Sequence, residues 1–183
     1  MKRWTYEQAE NSKGISFNTN ARGHAVSCHA RPNSSSYFTQ LELGISGDFD
    51  LDLFEKSLNE LVRTYDILRT AFVYQQLQKK PRQVVLAERH IDVYREDLSH
   101  LNHQEQKKVL DQYKKQVRKQ GFHLTNDLLL KVAVFQLNET NWHLIWSNHH
   151  IIMDGWSMGV LMKKTVSLLC FLSERPNAGS LTR

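Results

Sequence analysis

The feature that most constrains this chain is where its apolar periodicity starts and stops. From Tyr37 onward hydrophobic residues recur at strand and helix spacings, whereas residues 1–36 are rich in Asn, Ser, Gly and Arg and show no such pattern. In Tyr37 to Ile45, Leu41, Leu43 and Ile45 alternate with polar or small residues, which predicts a half-buried strand. Gly47-Asp48 turns the chain. Asp50 is then placed to cap a helix whose apolar face is Leu51, Phe54, Leu58, Leu61, Val62 and Tyr65. A second strand is expected from Arg69 to Leu77, a turn at Lys79-Lys80-Pro81, and a short strand from Gln83 to Leu86. Residues 102–120 are polar, with Val109, Tyr113 and Val117 in one stripe, and predict a solvated amphipathic helix ended by Gly121. Its basic run, Lys114-Lys115, Arg118 and Lys119, reads as an exposed face rather than a docking site for an acidic partner. Leu128–Leu137 and Trp142–Asn148 are two further strands, and Ser157 begins a helix with Val160 and Leu161. The pattern is mixed α/β, without an internal repeat or a glycine-rich phosphate loop.

The chain has 183 residues, 40% hydrophobic and 23% charged, which suits one domain with a core. No apolar run reaches the ~18 residues that would cross a bilayer, so no membrane association is expected. Met1 to Glu7 lacks an apolar signal segment, and two cysteines make no disulfide framework; a cytoplasmic protein is the simplest expectation. The net charge of +5 invites a nucleic-acid reading until the charge is located. Residues 1–36 hold five Lys/Arg against two acids and residues 163–183 four against one, while residues 37–162 hold fifteen against sixteen. The excess sits at the ends, and no nucleic-acid partner is expected.

The residues that carry chemistry follow the last apolar strand: His149-His150-Ile151-Ile152-Met153-Asp154-Gly155. Adjacent histidines on an extended chain point to opposite faces, so one of them looks into a given cleft and the other is left for a structural role. An imidazole titrating near neutrality can take a proton from an amine or hydroxyl nucleophile. Asp154 can orient that ring directly, or pair with a cation and hold the loop. Gly155 permits a tight turn with positive φ into the next helix. His149, His150 and Asp154 are also metal-ligand types, but adjacent histidines rarely converge on one ion. His24, Cys28 and His29 form a second possible cluster in a stretch with no visible fold. No metal site is expected.

His149 to Ser157 resembles the His-His-x-x-x-Asp-Gly signature of condensation domains from nonribosomal peptide synthetases, within the chloramphenicol acetyltransferase-like superfamily. Thr64-Tyr65-Asp66-Ile67-Leu68-Arg69-Thr70-Ala71-Phe72 is similar to that family's Arg-His-Glu-x-Leu-Arg-Thr-x-Phe, departing from it at Thr64, Tyr65 and Asp66. Tyr37-Phe38-x-Gln40, Pro81-Arg82-Gln83-Val84-Val85 and Gly121-Phe122-x-Leu124 also resemble the family, and the likeness runs from Asn33 to Lys164. The resemblance implies a mixed sheet flanked by helices, first lobe only. It implies amide-bond formation between acyl or peptidyl and aminoacyl thioesters carried on the 4′-phosphopantetheine arms of partner carrier proteins, with no cofactor bound covalently. His150 matches the histidine that acts as base or positions the amine, and His149 the more structural one. Asp154 matches an aspartate that pairs with the motif arginine, here Arg69, and Gly155 lies where a backbone amide meets the thioester. Epimerisation and other acyltransferase branches share the signature, whereas cyclisation domains replace its histidines by aspartates.

The family's N-terminal motif, commonly like Tyr-Pro-Leu-Thr-Pro-Met-Gln-Glu-Gly-Met-Leu-Phe-His, has no protein counterpart in Ile15 to Cys28. The nucleotides ACA-CCA-ATG-CAA-GAG-GGC-ATG-CTG-TTT spell part of that motif, and their shifted reading contains Asn20-Ala21-Arg22-Gly23-His24-Ala25-Val26. Thr165 to Leu172 re-reads in another frame as Leu-Phe-Arg-Phe-Tyr-Ala-Phe, similar to the family's continuing helix. The expected layout is a frame-shifted segment over 1–32, a condensation-domain first lobe over 33–164, and a frame-shifted tail over 165–183 whose apolar run is accidental. The family's tunnel lies between two lobes. With the second lobe absent, the fragment is expected to be inactive alone, and either it is a noncatalytic remnant that binds carrier protein at most or it needs the missing C-terminal lobe as a partner.

Overall fold

The structure is a computed structural model that describes residues 14–15, 37–75 and 80–174. Elements follow the chain as β1 (Gly14–Ile15), β2 (Phe38–Ser46), α1 (Leu51–Thr64), a 3-10 turn (Asp66–Arg69), β3 (Thr70–Gln75) and β4 (Lys80–Val85). Then come β5 (Tyr94–Asp97), α2 (His103–Gln120), β6 (Leu130–Gln136), β7 (Asn141–His149) and α3 (Gly155–Ser173). A four-stranded sheet has the order β2-β7-β6-β5, and a three-stranded sheet the order β1-β4-β3. In the larger sheet β7 pairs antiparallel with β2 and β6, while β5 joins β6 in parallel. The class is therefore mixed α/β, as the sequence pattern predicts.

Alternation along β6 and β7 sends successive side chains to opposite faces. Val132, Val134, Leu144 and Trp146 meet Phe54, Leu58, Leu61 and Val62 of α1 and Leu161 of α3 on one face. Ala133, Phe135 and Ile145 meet Leu110 of α2 and Leu98 on the other. The sheet is thus sandwiched between α1 with α3 and the more polar α2.

Local chemistry accounts for the helix ends. Asp50 Oδ1 accepts the Leu53 N–H at 2.9 Å, the predicted cap of α1. Asn102 and Glu105 form a reciprocal capping box at the start of α2. Gly121 ends α2 at φ 60, ψ −148, a conformation open essentially to glycine alone. Val109 and Tyr113 are only partly buried against the core, whereas Leu110 and Val117 are the buried residues of α2.

Three sequence expectations need correction. β4 begins at Lys80 and takes in Pro81, which was expected in a turn. Pro81 lies opposite Tyr74 of β3, while β1 reaches only Gln83 and Val84, so the missing N–H costs little pairing. β3 starts at Thr70 because Arg69 closes the 3-10 turn. β5 was not foreseen at all: Tyr94-Arg95-Glu96-Asp97 lacks an apolar alternation, and it is held by backbone pairing to β6, by the Tyr94 ring against Tyr113 and Phe135, and by the ion pairs of Arg95 with Asp52 and Glu55. The helix begun near Ser157 runs to Ser173, with Thr165 buried and Leu168 and Leu169 against the core.

Candidate active site

The site is the connection between β7 and α3. At its start His149 N–H donates to Leu129 O at 3.0 Å, and His150 N–H to Tyr37 O at 2.8 Å. The two histidines diverge. His149 is buried, and its ring lies beside Tyr37 and edge-on to Phe122. Its Nδ1 accepts the Ile151 N–H at 3.1 Å, so the ring proton sits on Nε2. His150 is exposed on the turn. The opposite-face argument from the sequence thus describes where the two rings lie.

Ile151, Ile152 and Met153 are buried in the main core and anchor the loop from beneath. Asp154 then caps α3: its Oδ1 accepts the Ser157 N–H at 2.7 Å and its backbone carbonyl the Met158 N–H at 3.0 Å. Hydrogen bonding from Ser157, through its side chain first and its backbone N–H second, holds the Asp154 carboxyl below its ordinary value of 3.8. The nearby His150 adds to that lowering.

Two site expectations are corrected here. Arg69 does not pair with Asp154. Its guanidinium donates to Val62 O at 3.1 Å, to Leu86 O at 2.7 Å and to Ala87 O at 3.3 Å, and forms an ion pair with Asp66. Carbonyls from α1 and the exit of β4, with the Asp66 carboxylate of the 3-10 turn, absorb the donors that would reach across to the loop. The positive φ expected at Gly155 is also absent; Gly47 and Gly121 are the described glycines that adopt one. Asp154 makes the turn in an ordinary extended conformation, and Gly155 is already the first residue of α3. A Cβ at Gly155 would meet nothing within 4 Å, so its backbone is approachable.

The region around His150 is open. Trp156, directly after Gly155, is 84% exposed, and Val160, Val166 and Phe171 continue an exposed apolar side of α3. His150 and Asp154 stand at the N-terminus of that helix, where backbone N–H groups and the helix dipole favour negative charge. Chemically, the loop offers an exposed imidazole, a carboxylate tied to the helix start, and an uncovered backbone. Among the described residues, His149, His150 and Asp154 do not bring ligand atoms together at metal-binding spacing, whereas Glu55, His90 and Asp92 do. The His24, Cys28 and His29 cluster and the motif region Ile15 to Cys28, apart from Ile15 itself, lie outside the described residues.

Known proteins agree with this architecture. A family model for the condensation domain matches residues 25–177. This chain belongs to the condensation-domain family of nonribosomal peptide synthetases. Surfactin synthase subunit 2 of Bacillus subtilis (strain 168) is 66% identical over 132 residues, 72% of this chain and 4% of that protein. Tyrocidine synthase 3 of Brevibacillus parabrevis is 50% identical over 134 residues, 73% of this chain and 2% of that protein. In fold, the chain is similar to the starter condensation domain of rhizomide synthetase RzmA, with a TM-score of 0.78 at 18% identity over 93% of this chain and 43% of that one. It is also similar to the first condensation domain of the calcium-dependent antibiotic synthetase, with a TM-score of 0.79 at 17% identity over 93% of this chain and 40% of that one. The chain therefore spans a few per cent of these synthetases and less than half of the matched condensation-domain structures.

Proposed function

We propose that this chain is the first lobe of a condensation domain, whose inherited chemistry is amide-bond formation between carrier-bound thioesters. The observation that carries the reading is the exposed His150, held by the Tyr37 carbonyl and followed by the Asp154 cap of α3. In that role His150 positions the attacking amine and accepts its proton as the C–N bond forms and the thiolate leaves. His149 fixes the turn that presents it, and Gly155 leaves room for the thioester beside the start of α3. Carrier proteins bearing 4′-phosphopantetheine arms are the proposed partners.

For this chain alone we favour a noncatalytic state. Trp156 at the start of α3 is almost fully exposed, and His150 is itself exposed, so water reaches the candidate base. An epimerisation or other acyltransferase branch is the competing chemistry on the same motif. The test is incubation of the purified chain with loaded donor and acceptor carrier proteins. The expected result is no dipeptidyl thioester. Product that disappears in His150→Ala would show that the lobe suffices, and inversion at the donor α-carbon without amide formation would move the chain to the epimerisation branch. The proposed frame-shifted ends, 1–32 and 165–183, are tested by the gene itself. A single-base shift at each end must restore family sequence.

A further inference from the structure

Away from the His150 loop, one cluster gathers side chains of metal-binding type from two parts of the fold. Glu55 on α1, with His90 and Asp92 before β5, each offer a ligand atom, and the three atoms lie within 4.8 Å of one another. His90 Nε2 and Asp92 Oδ1 are 3.5 Å apart. Bonds of about 2.0–2.2 Å in a tetrahedron put neighbouring ligand atoms ~3.4 Å apart, so this pair already has the spacing of two ligands on one ion.

The backbone behind the cluster is pinned. Ile91 donates its N–H to Asn59 Oδ1 at 2.9 Å and accepts from Asn59 Nδ2 at 3.0 Å. Val93 N–H donates to Glu55 Oε2 at 3.2 Å. Ile91 and Val93 are buried while His90 and Asp92 are exposed, the alternation that places residues two apart on one face. Further back, Arg69 ties down the Leu86 and Ala87 carbonyls. Arg95 is the cation that competes, bonding Asp52 at 2.5 Å and Glu55 Oε2 at 3.0 Å. It leaves the second oxygen of Glu55, and with His90 neutral the group Asp52, Glu55, Asp92 and Arg95 carries a net charge of −2.

We propose that Glu55, His90 and Asp92 bind a divalent cation of the zinc class, with water completing the coordination. An imidazole with two carboxylates is too few and too mixed a donor set for calcium, which takes 6–8 oxygens. The ion would cross-brace α1 to the segment that leads into β5, and it has no part in the chemistry at His150.

The test is titration of the chelator-stripped full chain with zinc chloride, read by calorimetry and by histidine ring NMR signals. One saturable event is expected in which the His90 ring signals move. Its affinity falls about tenfold or more in His90→Gln and in Asp92→Asn, and is unchanged in His103→Gln, an exposed histidine on α2. Circular dichroism checks that these surface variants stay folded. The proposal is overturned if no saturable binding is seen at millimolar zinc, or if His90→Gln and Asp92→Asn bind as the parent does.

Discussion

Asp154 and Arg69 were expected to hold each other, and the structure gives each its own set of partners, so their substitutions make separable predictions. Arg69 is mostly buried and serves three backbone carbonyls, a geometry that a fork of planar N–H donors satisfies and a single ammonium does not. Arg69→Lys should therefore destabilise the fold by about 1–3 kcal/mol, measured as a lower urea midpoint, through carbonyls left without donors. Asp154→Ala should lower the midpoint through the lost cap, and Asp154→Ser should restore much of it, because a hydroxyl accepts the Ser157 N–H as well. Acid titration provides a further check. Burial pushes the Glu42 carboxyl up, but hydrogen bonds from Lys114 and His143 outweigh it and hold it below its ordinary 4.5. Asp154 is likewise held below 3.8. Groups lowered by folding contribute stability that is fully present above those ordinary values and lost as pH falls through the lowered ones. The double variant Glu42→Gln, Asp154→Asn should show a flatter loss of stability below about pH 4, followed by urea midpoints across pH.

At the scale of elements, burial decides what each strand tolerates. Trp146 on β7 is fully buried, and its Nε1 has no acceptor among the described residues. Trp146→Ala should cost about 3–5 kcal/mol through the cavity it leaves, whereas Trp146→Phe should cost distinctly less, because it also removes the unsatisfied N–H. Chemical denaturation of the two variants gives the comparison. Strands β2, β6 and β7 were legible because alternation or sustained apolar character marks a strand with one or both faces covered. β5 was not, since its residues are mostly polar and exposed and it is held by backbone bonds to β6 and by the distant partners of Tyr94 and Arg95, which no local pattern records. The α2 basic run is an exposed face in part: Lys114 pairs with Glu42 and Asp111, and Arg118 lies 5.0 Å from the Phe38 ring centre.

For the whole molecule, the exposed side of α3 has the largest consequence. Trp156, Val160, Val166 and Phe171 face away from the core while Leu161, Thr165 and Leu168 pack inward, so the outward side carries apolar residues interleaved with exposed Lys163, Lys164 and Ser167. Exposed apolar residues gathered on one side favour association. Trp156→Ser with Phe171→Glu should lower self-association with little change in the unfolding midpoint, as read by sedimentation velocity. No described helix is long and apolar enough to cross a membrane.

The sequence by itself determined the class, the helix cap at Asp50, strands β2, β6 and β7 of the central sheet and the loop that carries His149 and His150. Each of these depends on local periodicity, on a side chain capping its own helix, or on a motif of adjacent residues. Only the tertiary structure decided where Arg69 spends its hydrogen bonds, that Gly155 needs no positive φ, that β5 exists, and that Glu55 meets His90 and Asp92. Those depend on which distant groups come within hydrogen-bonding reach, and that is set by how the layers pack.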